Sequence, residues 1–123
     1  MKLPMDRPDQ SLLDGVPPAP GNLMHADAAP ASEEQFDELL RRPDLHIERI
    51  VSRGHVTPPD RPFLQDRDEW VLVLRGSARL TLEGVGDRTL DAGEYLLIPA
   101  GVPHRVTYTA DPTIWLAVHF GGA

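Results

Sequence analysis

The sequence predicts an all-β domain, a sandwich or barrel of seven or eight short strands. From Leu45 onward, short apolar or alternating segments recur, each bounded by glycine, proline, aspartate or serine. No crossover helix lies between them, which points to an all-β architecture. No internal repeat divides the chain.

The first 30 positions hold nearly half of the 13 prolines, including "VPPAPG" at Val16 to Gly21. Proline neither donates to a ladder nor continues a helix, so residues 1–30 read as an extended, partly mobile arm. Residues 31–123 then form one domain. Within the arm, "NLMH" (Asn22 to His25) could add an edge strand. "PASEEQFDELLRRP" reads as one short helix. Ser32 can cap it, and Gln35 completes a capping box. Phe36, Leu39 and Leu40 share a helical face, Asp37/Arg41 and Glu38/Arg42 are spaced for ion pairs, and Pro43 ends it.

The strands follow. "LHIERIV" alternates, with Leu45, Ile47 and Val51 on one face. "GHVTPPDRP" is a proline-rich loop. "EWVLVLRG" is apolar on both faces, which predicts burial on both sides. "SARLTLEG" alternates Ala78, Leu80 and Leu82 against polar neighbours, and "EGVGDR" is a hairpin turn. "RTLDAGEYLLIP" gives two strands around a turn at Asp91 to Gly93. "HRVTYTA" and "TIWLAVHF" complete the set, separated by "DPT".

Composition narrows the function classes. At 123 residues the chain can bury a core of its own, and 41% hydrophobic with 25% charged residues suits a soluble globular domain. A net charge of -7 without any basic stripe argues against nucleic-acid or anionic-membrane partners. Cysteine is absent, which excludes disulfides, thiolate metal sites and cysteine nucleophiles. "MKLPMDRPDQ" lacks a signal-peptide core, and no apolar run approaches the ~20 residues of a membrane span. The expected location is cytoplasmic.

"GDRTLDAGEYLLIPAGVPHRV" is similar to the second conserved motif of the cupin superfamily, G-x5-P-x-G-x2-H-x3-N. Gly93, Pro99, Gly101 and His104 occupy its first four places, and Tyr108 stands where asparagine is frequent. "EWVLVLRG" resembles the end of the first motif, E-x6-G, through Glu69 and Gly76. The similarity runs from Ile47 to Phe120 and implies a double-stranded jelly-roll barrel. The glycines and the proline have backbone duties, so they speak for the fold more than for chemistry.

The resemblance also implies a metal site, which in cupins is H-x-H-x3-4-E of the first motif plus the histidine of the second. Here the two histidine places hold Phe63 and Gln65, or in the longer spacing Pro62 and Leu64. What remains is Gln65, Glu69 and His104. Gln65 and Glu69 are four apart and share a strand face. Trp115, Ala117 and His119 share a face of the last strand, so His119 is a candidate second imidazole. Two imidazoles and a carboxylate have the composition of a facial-triad iron site. The candidate ligands are therefore Gln65, Glu69, His104 and His119, for Fe, Mn, Zn or Ni. Each has another reading: Glu69 as a surface carboxylate in "QDRDEW", His104 as a polar residue hydrogen-bonded at the barrel mouth, His119 and His55 as structural or solvent-facing.

Three functions remain open. One is a metal-dependent dioxygenase, isomerase or lyase, with Tyr108 as acid or base. Another is a metal-free module binding a small polar ligand, with Trp70, Tyr108 and Trp115 as wall or lid residues. The last is an assembly domain, for which the two-sided apolar strands "WVLVLRG" and "IWLAVHF" fit burial in a homodimer.

Overall fold

Arg42, Pro43, Asp44 and Leu45 form a tight turn, and the strands on either side of it are the first two of eight. The computed structural model describes residues 19–26 and 32–121. The strands are β1 (Gln35–Arg42), β2 (Leu45–Ser52), β3 (Asp68–Arg75), β4 (Ser77–Leu82), β5 (Gly86–Asp91), β6 (Tyr95–Ile98), β7 (His104–Thr109) and β8 (Thr113–Phe120). They build a five-stranded sheet, β1-β2-β8-β3-β6, and a three-stranded sheet, β5-β4-β7, with every pairing antiparallel. The two sheets enclose one core as a jelly-roll barrel.

Alternation supplies that core. Val71 and Val73 of β3, Ala78, Leu80 and Leu82 of β4, and Trp115 and Ala117 of β8 are all buried, joined by Leu90 and Ile98. Trp70, Leu72 and Leu74 on the opposite face of β3 are only half-buried, so the expected two-sided burial is incomplete within one chain. Gly76, at the β3–β4 turn, has φ +87°, and a Cβ there would stand 2.5 Å from the Pro112 carbonyl oxygen. Backbone crowding, rather than ligand chemistry, requires that glycine.

The loop between β2 and β3 closes the barrel along the free edge of β7. Thr57 N–H donates to the Val106 carbonyl at 2.8 Å, and Phe63 and His104 exchange backbone hydrogen bonds at 2.8 and 3.0 Å. Gly101, with φ +78°, turns the chain after β6 so that its N–H donates to the Gln65 carbonyl at 2.8 Å. These bonds bring Phe63, Gln65 and His104 together.

Two local expectations are corrected. The segment expected as a helix from Ser32 to Pro43 is strand β1, and no helix occurs among the described residues. Its helical ion pairs are worth only ~0.2–0.5 kcal/mol each, less than a ladder of backbone hydrogen bonds along the whole of β2. The side chains re-pair accordingly: Asp37 bonds Arg49 across the strands at 2.9 Å, and Glu38 takes Arg41 at 2.6 Å. A bulge between Glu38 and Leu40 absorbs the extra residue that the helical spacing of apolar side chains leaves over. "NLMH" is a turn rather than an edge strand, because the Asn22 side chain accepts from Met24 N–H at 2.8 Å while His25 N–H closes on the Asn22 carbonyl at 3.1 Å. Apart from 19–26, the expected arm 1–30 lies outside the described residues. No helix among the described residues is long and apolar enough to cross a membrane.

Candidate functional site

β8 lies between β2 and β3, and the register places His46, His119 and Glu69 in one row across the three strands. The next row holds Glu48, Ala117 and Val71, and the third Ile50, Trp115 and Val73. Side chains two apart share a face, so one inner wall grades from a polar end to an apolar floor. The imidazoles of His46 and His119 stack, with centroids 5.4 Å apart and 22° between planes.

The polar end is a chain of contacts. Glu48 Oε2 lies 2.9 Å from His119 Nε2, which is 3.9 Å from Glu69 Oε2. The other oxygen of Glu69 is 3.5 Å from His104 Nε2. Glu69 and His104 are 7% and 5% exposed, so neither is a surface group. His104 Nδ1 sits 3.0 Å from the Val102 carbonyl, which can only accept, so the proton is on Nδ1 and Nε2 turns to Glu69. Burial by itself would lower the His104 pKa. The bond to Glu69, the Val102 carbonyl and the Glu69 charge outweigh it and raise the pKa above 6.5. For His119 the bond to Glu48 raises the pKa most; burial opposes it, the charges of Glu69 and Glu48 add to it, and Arg67 subtracts. His46 Nε2 is buried without a hydrogen-bond partner. It lies 3.5 Å from Glu38 Oε1, the oxygen that Arg41 already occupies.

A cavity of about 180 Å³ opens beside this chain. Glu48, Glu69, His104, His119 and Gln65 line its polar end, and Val71, Leu80, Ile98, Val106 and Trp115 its apolar floor. Phe36, Val56, Pro58 and Phe63 also line it. The side-chain oxygen of Gln65 is buried and has no hydrogen-bond partner. Trp115 donates from Nε1 to Ser52 at 3.1 Å, and Ser52 donates on to Glu34, which fixes the indole in the floor.

The structure thus brings together four of the expected residues, Gln65, Glu69, His104 and His119, around one cavity. Tyr108 is not among them. It is 45% exposed on the outside of β7, 5.5 Å from the Arg79 guanidinium. Val106 pairs with Leu80 but Tyr108 with Arg79, so Thr107 is an extra residue. That bulge inverts the alternation, turning Thr109 inward and Tyr108 out. His55 lines the cavity, but its Nδ1 accepts from Arg53 N–H at 2.8 Å.

His46 and Glu48 are the residues that sequence reasoning missed. The signal was there in the spacing of His46 and Glu48, two apart on a strand. Leu45, Ile47 and Val51 do share a face, but it is the outer one. One donor atom from each of His46, Glu48 and His119 lies within 4.8 Å of the others, a group able to hold a metal ion.

Residues 51–119 match the model of the cupin domain family. A crystal structure from Ralstonia eutropha JMP134, whose proposed activity is that of a mannose-6-phosphate isomerase, is 42% identical. The match covers 85% of this chain and all of that one, with a TM-score of 0.80. DMSP lyase DddQ from Ruegeria pomeroyi DSS-3 is 21% identical over 72% of this chain and 47% of its own, at TM-score 0.63. A cupin superfamily protein from Desulfitobacterium hafniense DCB-2 is 17% identical over 76% of this chain and 83% of its own, at 0.66. These last two speak for the fold alone. No curated protein matches the chain.

Proposed function

This chain belongs to the cupin domain family, and from that premise we propose that its barrel binds a divalent transition metal together with a small molecule. The usual cupin ligand places do not fit a metal here: Phe63 stacks on His104 with centroids 5.5 Å apart, and Gln65 offers only an amide. The set His46, Glu48 and His119 fits better, with two imidazoles and a carboxylate as the donors. The observation that carries the reading is the buried, unpartnered Nε2 of His46, an orphan donor or acceptor beside that set. Glu69, 3.9 Å from His119, is the neighbour placed to add a further oxygen.

A metal bound there supplies Lewis acidity toward a carbonyl or hydroxyl oxygen, the chemistry that isomerases and lyases use. The activity proposed for the Ralstonia eutropha protein makes isomerisation a candidate class for this chain. The chain's own part is to position and to move a proton. His104, oriented by the Val102 carbonyl, and Glu69 form a pair on the cavity wall, and both are nearly buried. A metal-free ligand-binding cupin is the second reading, favoured by the direct 2.9 Å bond between Glu48 and His119. Purification without a histidine tag, followed by metal analysis and melting with added Mn, Fe, Zn or Ni, separates the two. Bound metal and a metal-dependent rise in Tm support the first reading; neither effect leaves the second.

A further inference from the structure

The cavity has a rim as well as a floor. Among the described residues, the four exposed members of its lining are all apolar: Phe36, Val56, Pro58 and Phe63. Phe36, Val56 and Phe63 are 54%, 52% and 40% exposed. A side chain that lines a cavity and also meets solvent marks where the cavity opens. These four come from two elements. Phe36 belongs to β1, the edge strand of its sheet, and the others to the β2–β3 loop that runs along β7. The barrel therefore opens between β1 and that loop, through a mouth bordered by apolar groups. Apolar surface left exposed around an opening is the mark of a binding groove.

The rim continues the floor without a break. Phe36 pairs with Ile50, so it extends the inner row of Ile50, Trp115 and Val73 out to the edge of the sheet. An apolar track thus leads from the interior to the mouth, while Glu48, Glu69, His104 and His119 gather at the other end of the cavity. The enclosed space is small. About 180 Å³ is little more than the roughly 150 Å³ that holds benzene. A molecule with its polar group among those four side chains fills the space within a few carbons, and any longer chain leaves across Phe36 and Val56.

Resting on the reading of the barrel as a ligand site, we propose that its ligand is an amphiphile, with an oxygen-bearing head at the polar end and an apolar chain that leaves through the mouth across Phe36 and Val56. The chain covers apolar surface that the protein otherwise leaves in water, and that burial is what favours a tailed ligand over a short one. The head is the part presented to His104, Glu69 and any bound metal.

Alkyl hydroxamates, which carry one chelating head on chains of different length, are the probe. Calorimetric titration of the full chain uses the acetyl, butyryl, hexanoyl and octanoyl compounds, on Mn-loaded and on EDTA-treated protein. From the butyryl to the octanoyl probe, affinity should rise about two- to threefold per added methylene, the gain of a partly covered apolar group. The Phe36→Ser, Val56→Ser double variant should flatten that series. The Phe36→Leu, Val56→Leu double variant keeps apolar surface at the mouth and should keep the slope. An octanoyl probe that binds no tighter than the butyryl one to the wild type would overturn the proposal, as would an unchanged slope in the serine variant. The slope belongs to the chain and is expected in both metal states. Acetohydroxamate binding equally with and without Mn refutes the metal reading alone.

Discussion

Glu69 and His119 are cross-strand partners whose side chains meet at 3.9 Å inside the barrel, and Glu69 reaches His104 with its other oxygen at 3.5 Å. One carboxylate therefore links a residue of the second cupin motif to a histidine outside both motifs. Glu69→Gln should remove the charge that helps to hold the His104 pKa up, so that burial is opposed chiefly by the Val102 carbonyl. The ring signals of His104, followed by NMR across pH, are expected to titrate above 6.5 in the wild type and at lower pH in the variant. An unchanged titration would mean that Glu69 does not set it.

Stability of the metal-free protein and the metal's own contribution to it should change in opposite directions with pH. His104 and His119 both have raised pKa values when folded. Their stabilisation is complete below the ordinary value of 6.5 and is lost as pH rises through the folded values. Metal-free protein should therefore melt at progressively lower temperature as pH rises from about 6 to about 8. Metal binding requires His119 Nε2 to give up the proton it shares with Glu48, so the metal-induced rise in Tm should grow over the same range. Melting curves with EDTA and with excess metal check both signs.

Gly76→Ala tests the backbone duty of the first-motif glycine. Its φ of +87° and the 2.5 Å approach to the Pro112 carbonyl oxygen both oppose a side chain. A loss of about 1–3 kcal/mol in urea unfolding is expected. The metal stoichiometry of the folded fraction should not change.

The outer face of the five-stranded sheet bears on assembly. Trp70 and Tyr95 lie 5.5 Å apart there, with Tyr95 65% and Leu97 46% exposed. Burial of this face against a second copy predicts a dimer in light scattering, and Leu97→Glu should yield monomers. A monomeric wild type at micromolar concentration would contradict it.

Seven strands were legible because each carries its own turn residues and either alternation, as in Ala78, Leu80 and Leu82 ahead of the glycines at 84 and 86, or a short two-sided apolar run, as in β3. The eighth was not. Phe36, Leu39 and Leu40 fit a helix as well as a bulged strand, and only the partner strand decides between them. In β2, Leu45 and Ile47 drew attention to the apolar face, although alternation never says which face is inside. Tyr108 was misplaced by a one-residue bulge that no local signal marks. His104 and Glu69 stood out because the motif fixes their register, whereas His46 and Glu48 lie before the matched segment.

The central claim is that a metal is held by His46, Glu48 and His119. Its most direct test is metal content per chain after equilibrium dialysis, for wild type and for the Glu48→Gln, His119→Gln double variant. One ion per wild-type chain and none in the folded double variant is the expected result. A double variant that keeps its ion, or a wild type that binds none, would contradict the claim.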